Sequence, residues 1–218
     1  WMKDLRARYG VEARGYPVDL AADNGPDRLY RAVIKDAGRL DILVNHAGLM
    51  AYGNLHEIDL DRQRRILAVN AGAYLALMRL ALGDMVAAGE GRILNVSSVS
   101  AFQPSAHHAV YGATKAFVQS LSEAVNQELR GTGVMVCTLC PSYTDTPLLK
   151  GQGFPDRLRW YSISGLSSPE AIARKGLRAF VRGRAVYIPG LRNWFVHAVL
   201  QRLMPRRLAG ALSYLVLR

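Results

Sequence analysis

Three side chains in the middle of the sequence have the types and spacing needed to move a proton to or from a carbonyl oxygen. Tyr111 and Lys115 lie four residues apart in a stretch with helical periodicity, so they share one helix face. An ammonium beside a phenol stabilises the phenolate, lowers the pKa of the tyrosine and lets it exchange a proton near neutral pH. Ser98 lies thirteen residues before Tyr111 at the end of a predicted strand, where a loop can fold its hydroxyl toward the phenol. The trio could hold a carbonyl oxygen and protonate it while a cofactor delivers hydride.

Alternating strands and helices must position these side chains. Short apolar runs predict strands, and apolar residues repeated every three or four positions predict helices. The predicted strands are Val11–Val18, Asp41–Val44, Gly91–Ser98, Val134–Leu139 and Ala185–Ile188; the predicted helices are Trp1–Tyr9, Pro26–Arg39, Asp59–Leu82, Ala109–Arg130, Pro169–Arg182 and two pieces within Asn193–Arg218 that are separated at Pro205. This alternation indicates βαβ units, and therefore an α/β fold with a parallel sheet and helices on both faces.

Ser98, Tyr111 and Lys115, with GRILNVSS before them, resemble the short-chain dehydrogenase/reductase family. The resemblance implies a single doubly wound, Rossmann-like domain over residues 1–218. It also implies the roles of the side chains. Tyr111 would be the general acid or base, Lys115 would lower its pKa and bind the nicotinamide ribose, and Ser98 would position the carbonyl oxygen. Asn70 lies in VNAGAYLALM, which is similar to the family pattern around a fourth catalytic residue that holds a relay water. Without the resemblance, Asn70 reads as a helix asparagine bonded to the backbone.

Two further segments resemble the cofactor-binding motifs of the family. Asn45-His46-Ala47-Gly48 is similar to NNAG, whose first asparagine steadies the sheet and which flanks the adenosine side of the cofactor. The segment Pro141–Pro147 is similar to a PG-x-x-x-T motif that binds the nicotinamide carboxamide, with Ser142 in place of glycine. The resemblance therefore assigns cofactor contacts to Asp19 (near the adenine), Asn45, Ala47, Gly48, Tyr111, Lys115, Pro141, Thr144 and Thr146.

A glycine-rich phosphate-binding turn does not occur before Asp19. Because the sequence starts at Trp1 within a predicted helix, we interpret the chain as lacking the first βαβ unit of the family fold. That unit also holds the residues that select the cofactor, so we expect NADP or NAD and favour NADP. The leading hypothesis is an oxidoreductase that interconverts a carbonyl and a secondary alcohol. The alternative is a truncated, non-catalytic binding or assembly protein with the same fold.

The positive charge of the chain is concentrated near its end. The net charge is +11, and residues 169–218 contain ten basic residues and one acidic residue, Glu170. A solvated surface, a tail that covers the substrate cleft and a subunit contact are all compatible with this pattern. Apolar residues among the arginines, including Trp194, Phe195 and Leu203, also suit peripheral membrane contact. We expect no nucleic-acid partner, because no recognised binding module accompanies the charge.

The two cysteines, Cys137 and Cys140, lie in an apolar predicted strand, where we expect core packing rather than a metal or redox site. The absence of a disulfide framework fits a reducing cytoplasm. We expect His46 to be a packed or capping side chain. His107 and His108 are expected to be exposed in the loop before Tyr111.

Residues 142–168 have the composition of a substrate lid, with Phe154, Trp160 and Tyr161 as candidate lining residues. Together with the apolar tail of residues 191–218, this lid suggests a hydrophobic ketone or alcohol as the substrate. The resemblance also implies a homodimer or homotetramer formed through the helices that contain Asn70 and Tyr111.

Overall fold

A four-stranded parallel sheet organises the molecule. The computed structural model describes residues 2–150, 154–155 and 165–217. Within them the strands β1 (Ile42–Asn45), β2 (Gly91–Val96), β3 (Val134–Leu139) and β4 (Val186–Tyr187) lie side by side in sequence order. All three strand pairs are parallel, and Asn45 of β1 lies opposite Asn95 of β2. All carboxyl ends therefore meet at one edge of the sheet.

Helices fill the crossovers between these strands. They are α1 (Met2–Tyr9), α2 (Gly25–Ala37), α3 (Leu60–Leu67), a π-helical turn (Ala68–Gly72), α4 (Ala73–Ala88), α5 (Ala109–Glu128) and α6 (Pro169–Val181). The C-terminal segment contains α7 (Leu191–Trp194), a second π-helical turn (Phe195–Leu200), α8 (Gln201–Leu203) and α9 (Arg206–Val216). These positions confirm the predicted helices, with ends that differ by a few residues.

The core includes a cluster on each face of the sheet, because neighbouring residues of a strand point to opposite sides. On one face, Ile93 and Val136 pack with Leu77 and Met78 of α4. On the other face, a cluster that includes Leu94 packs with Phe180 of α6. The predicted doubly wound arrangement is therefore confirmed.

The predicted strand Val11–Val18 is wrong, since these residues form neither helix nor strand. A strand needs a neighbour to pair with its backbone groups. Among the described residues β1 is the outer strand on that side of the sheet, and its Ile42 and Val44 side chains are about half exposed. Val11, Tyr16 and Val18 are residue types that favour an extended chain, but a partner is required to make the segment a strand.

The helical run Leu60–Ala88 packs on one face of the sheet. Among the described helices, this run is long and apolar enough to span a membrane by length and composition. However, Tyr74, Leu77, Met78 and Met85 are buried against the sheet, as in the core helix of a globular protein. The run begins at Asp59, whose carboxylate accepts a hydrogen bond from the backbone N–H of Arg62.

A buried polar network joins the sheet to α5. The Asn45 amide donates to Asn95 Oδ1 at 2.9 Å, and the Asn95 amide donates to Ser122 Oγ at 2.8 Å. Asn95 is fully buried and Asn45 almost so. Buried polar groups need such partners, because an unsatisfied group carries its full desolvation cost. The network therefore holds β1, β2 and the helix that carries Tyr111 in one fixed arrangement.

We predict that Asn95→Ala lowers the free energy of unfolding by about 2–3 kcal/mol, because it leaves the buried Asn45 amide without its acceptor. Urea unfolding followed by circular dichroism measures this change. The matched control is Asn54→Ala, an exposed position at which a change within about 0.5 kcal/mol is expected. Equal effects of the two substitutions would contradict the role of the network.

Candidate active site

A cleft of about 660 Å³ lies at the carboxyl ends of β1, β2 and β3. Ligands of open α/β sheets bind at this edge. The predicted residues that line the cleft come from three strand ends and from α5: Ala47 and Gly48 after β1, Ser98 after β2, Tyr111 and Lys115 on α5, and Pro141, Thr144 and Thr146 after β3. Eight of the eleven predicted site residues thus line one cleft, although they span a hundred positions of the chain.

The two serines at the end of β2 have different partners. Ser97 is buried, and its hydroxyl donates to the backbone carbonyl of Lys115 at 2.8 Å. The Ser98 oxygen accepts from the backbone N–H of Ser100 at 3.1 Å and caps the short turn that follows β2. Because Ser98 is the acceptor in this bond, its own O–H remains available as a donor. Ser97 fixes the site to α5, whereas Ser98 is the serine that can serve a ligand.

Tyr111 is buried in the first turns of α5. Burial raises the pKa of Tyr111 to about 12, although the Ser98 hydroxyl acts in the opposite direction by hydrogen bonding to the phenolate. The expected lowering of this pKa by Lys115 is not found. The Lys115 ammonium lies over the Tyr111 ring, 5.7 Å from its centroid, and its hydrogen bond goes to the backbone carbonyl of Val96 instead of the Tyr111 hydroxyl. In the chain alone, Tyr111 is therefore a neutral phenol at physiological pH.

The position of the Lys115 ammonium is set by the backbone of β2. Its Nζ donates to the carbonyl of Val96 at 2.7 Å and lies 5.2 Å from the centre of the Tyr74 ring. Burial lowers the pKa of Lys115 to about 8. A lysine ammonium has three donors, and the bond to Val96 uses one of them. The remaining N–H groups can serve a ligand in the cleft that Lys115 lines.

Asn70 lies behind the cleft, fully buried in the π-helical turn between α3 and α4. Its Oδ1 accepts from the backbone N–H of Leu49 at 2.8 Å, and its Nδ2 donates to the Leu49 carbonyl and to Thr114 Oγ1. π-helical turns occur frequently at functional sites. The side chain of Asn70 thus ties the segment after β1 to α5, so both segments keep their places beside Lys115.

The remaining predicted cofactor residues have separate locations. Asn45 does not line the cleft but joins the sheet network described above. Asp19 also lies outside the cleft, where its exposed carboxylate accepts hydrogen bonds from Arg65 and from the backbone N–H of Ala21. The proposed adenine contact of Asp19 therefore stays a prediction. Ser142, where the family pattern has glycine, does not have a positive φ, so the turn accommodates serine.

A nicotinamide dinucleotide is compatible with the residues of this cleft. A Cβ on Gly48 would lie 3.8 Å from Lys115 Nζ and 3.7 Å from Asn70 Oδ1, so the glycine keeps the space beside the ammonium free of a side chain. The buried Ser142 Oγ lines the cleft and has no hydrogen-bond partner among the described residues. Such a buried orphan atom is expected where a ligand completes a site.

The histidines differ from the expectations. His46 is exposed and lines the cleft rather than being packed. His108 is 2% exposed, and its ring centre lies 6.0 Å from that of Tyr111. Its Nε2 lies 3.5 Å from Ser100 Oγ, while its Nδ1 has no partner among the described residues. Burial lowers the pKa of His108 to about 4. His108 is the N-cap of α5, and the signal that could have located it beside Tyr111 is its position at the helix start, three residues before Tyr111.

Among the residues that the structure describes, His107 is the non-glycine residue that has a positive φ, and this angle is 61°. Its ring is half-buried between Tyr52, at 5.4 Å, and Tyr214 of α9, at 5.1 Å. Phe154 of the expected lid contacts Tyr52 edge-on at 5.2 Å. Trp160 and Tyr161 lie outside the described residues. The loop before Tyr111 is thus joined to the C-terminal helix by an aromatic cluster of Tyr52, His107, Phe154 and Tyr214.

We predict that His108 makes the folded chain less stable at acidic pH. The unfolded imidazole takes up a proton near pH 6.5, whereas the buried His108 resists protonation until about pH 4. The free energy of unfolding should therefore fall by about 3 kcal/mol through this window on account of His108 alone. Urea unfolding at several pH values should show that His108→Gln lacks this part of the slope. The exposed control, His56→Gln, should keep the full slope, and an unchanged slope in His108→Gln would contradict the assignment.

Comparison with known proteins finds similar oxidoreductases. A family model described as short chain dehydrogenase matches residues 1–153. An uncharacterized oxidoreductase of Staphylococcus epidermidis is 30% identical over 156 residues, which cover 72% of this chain and 68% of the relative. The ketoacyl reductase HetN of Nostoc is 30% identical over 170 residues, covering 78% of this chain and 58% of that protein.

Solved structures have the same fold. A short-chain dehydrogenase from Sphingobium yanoikuyae in complex with NADPH superposes with a TM-score of 0.81 at 27% identity, and the match covers 92% of this chain and 77% of that one. A 7β-hydroxysteroid dehydrogenase also has a TM-score of 0.81, at 22% identity, and the match covers 98% of this chain and 81% of that one. The latter similarity concerns the fold alone.

Proposed function

The chain belongs to the short-chain dehydrogenase family, and from this membership we propose that it is an NAD(P)-dependent oxidoreductase that interconverts a carbonyl and a secondary alcohol. The observation that carries the proposal is the convergence of Ser98, Tyr111 and Lys115 on one cleft at the carboxyl ends of the strands. A serine hydroxyl, a neutral phenol and an ammonium together provide hydrogen-bond donors for a carbonyl oxygen and for a ribose.

The dinucleotide would supply or accept the hydride when bound. Lys115 would hold it by directing its remaining N–H donors at the ribose hydroxyls. The backbone at Ala47 and Gly48 would approach its adenosine side, and Thr144 and Thr146 would bind the carboxamide. The Sphingobium dehydrogenase was solved with NADPH and a short-chain dehydrogenase from Burkholderia phymatum with NAD, which supports a nicotinamide cofactor. The preference for NADP over NAD stays a prediction.

Proton transfer is assigned to Tyr111. Burial keeps the proton on its phenol at neutral pH, so in the reductive direction Tyr111 is ready to donate a proton to the carbonyl oxygen as the alcohol forms. Ser98 would hold the same oxygen through its O–H and so fix the distance to the phenol. In the oxidative direction Tyr111 must first lose its proton, and the Ser98 hydroxyl favours that change by hydrogen bonding to the phenolate.

We propose that a proton relay, in which a bound water carries protons to Lys115, depends on Asn70. The amide of Asn70 uses both of its N–H donors on Leu49 and Thr114, so a relay water could be held only by the second lone pair of its Oδ1 or by other atoms of this turn. The side chain itself acts as a positioning group that keeps these two residues beside Lys115. The Asn70 side chain thus bonds to the backbone, as expected for a helix asparagine, and the turn that contains it can still take part in holding a relay water.

The walls of the cleft support a hydrophobic substrate. The apolar side chains that line it include Met50, Val96, Leu148, Leu149 and Ile172. Burial of the apolar body of a ketone against such walls would supply binding free energy, while Ser98 and Tyr111 hold its oxygen.

A homodimer or homotetramer is also proposed, through the helices that carry Asn70 and Tyr111. Leu67 and Leu75 on α3 and α4, and Phe117 on α5, are between about 40% and 50% exposed. Apolar side chains of this size on neighbouring helices are compatible with a subunit contact.

We predict that Tyr111→Phe lowers turnover by about a hundredfold or more, because the proton donor is removed while the ring and its packing stay. The assay follows NADPH oxidation with a panel of hydrophobic ketones, and NADPH fluorescence measures cofactor binding, which should change little. The matched control is Tyr16→Phe, which loses only an exposed hydrogen bond to Asp36 and should keep full turnover. Full turnover in Tyr111→Phe would overturn the assignment of the proton donor.

A further inference from the structure

The C-terminal helices form a surface of unusual composition. Glu170 is the last acidic residue of the chain, so residues 171–218 contain basic residues without acidic ones. Among the described residues of this segment, nine large apolar side chains between positions 191 and 217 are more than 40% exposed: Leu191, Trp194, Phe195, Leu200, Leu203, Leu208, Leu212, Tyr214 and Leu215. Large exposed apolar surfaces usually mark an interaction site.

One face of α9 is already occupied by the body of the protein. Ala209, Ser213 and Leu217 are buried, at helical spacing. The Tyr52 hydroxyl donates to the carbonyl of Leu217, and Tyr214 packs on His107. These contacts fix the rotation of the helix, and therefore also fix which of its residues face outward.

The outward face of α9 is apolar as well. Leu208, Leu212 and Leu215 recur at intervals of four and three residues, opposite the buried stripe, and are 50%, 41% and 52% exposed. The preceding helical segment adds Leu191 and Leu203, which are 89% and 79% exposed. A helix in contact with water on its outer face normally carries polar residues there.

Exposed arginines accompany these apolar side chains. Arg192 and Arg207 are exposed, and neither of them forms an ion pair with a residue that the structure describes. Arg206 is exposed as well, but it lies on the side of α9 that carries Ala209 and Ser213 and lines a groove against the body of the protein. Apolar side chains that insert between lipids, beside arginines that pair with phosphate, are the composition of helices that lie in a membrane interface. Basic residues near an anionic bilayer add attraction of about 1 kcal/mol each.

We propose that residues 191–217, here called the C-terminal face, dock the protein on a bilayer that contains anionic phospholipid. A second copy of the chain suits this face less well, because a two-fold contact pairs the face with itself and residues 171–218 offer its arginines no acidic partner. Nucleic acid would satisfy the arginines but would leave the outward leucines in water.

The C-terminal face also contacts the loops of the cleft. His107, which packs on Tyr214, directly precedes His108 in the cleft wall, and Tyr52 follows the cleft residue Met50 by two positions. A docked protein would therefore hold these two cleft loops close to the bilayer, from which a lipid-soluble ketone could be drawn. This last consequence rests on the proposed function, whereas docking itself does not.

Vesicle co-sedimentation of the 218-residue chain tests the proposal without an activity assay. We expect binding to vesicles of equal phosphatidylcholine and phosphatidylglycerol, and binding weaker by at least about tenfold to phosphatidylcholine alone or at high salt. Arg192→Gln/Arg207→Gln should weaken binding to the anionic vesicles about 25-fold, since each arginine contributes a factor of about five. Leu208→Gln/Leu212→Gln should weaken binding to both vesicle types about tenfold or more.

Two matched variants serve as controls. Arg28→Gln/Arg31→Gln removes the same charge from exposed positions of α2, and Leu67→Gln/Leu75→Gln removes apolar surface from the proposed subunit contact. Both should bind vesicles within about twofold of the unmodified chain, as expected for changes outside the docking face. Equal binding to neutral and anionic vesicles, or equal losses in the control and tail variants, would overturn the proposal. So would sedimentation velocity showing that Leu208→Gln/Leu212→Gln dissociates an oligomer while vesicle binding is unchanged.

Discussion

The site depends on the attachment of α5 to the end of β2 at Lys115. The Lys115 ammonium donates to the carbonyl of Val96, and the carbonyl of Lys115 accepts from the hydroxyl of Ser97. These two bonds cross between the same strand end and the same helix residue, so the strand and the helix cannot slide past each other without losing both. Ser98 directly follows Ser97, and Tyr111 lies about one helical turn before Lys115. The two bonds therefore also bring Ser98 and Tyr111 together at the cleft.

The same attachment has an electrostatic consequence. Holding the ammonium over the rings of Tyr74 and Tyr111 lets aromatic faces and one carbonyl stabilise a buried charge, and burial still lowers the pKa of Lys115 to about 8. Because the ammonium donates to the Val96 carbonyl instead of the phenol oxygen, it does not create a phenolate in the chain alone. Proton donation at neutral pH thus needs no prior deprotonation of Tyr111. Generating the base for oxidation requires a change in the surroundings of its oxygen.

Much of this arrangement could be predicted from the sequence because it is local. The spacing of Tyr111 and Lys115, the apolar runs of the strands and the polar residues after them follow from short-range periodicity. What could not be predicted depends on distant contacts. Burial of His108 comes from packing against other parts of the chain, and Val11–Val18 fails as a strand because pairing requires a neighbour. The side-chain direction of Lys115 likewise depends on the Val96 carbonyl, which no spacing within α5 reveals.

The most direct measurement of the central claim is a fluorescence titration of the folded 218-residue chain with NADPH and, separately, with NADH. Micromolar binding of at least one of them, weakened about tenfold or more by Lys115→Met, is the predicted result, because the ammonium is the charged group that the cleft offers to a ribose. The absence of binding by a folded chain would contradict the claim that these residues hold a nicotinamide cofactor. It would instead favour a non-catalytic binding or assembly role for the same fold.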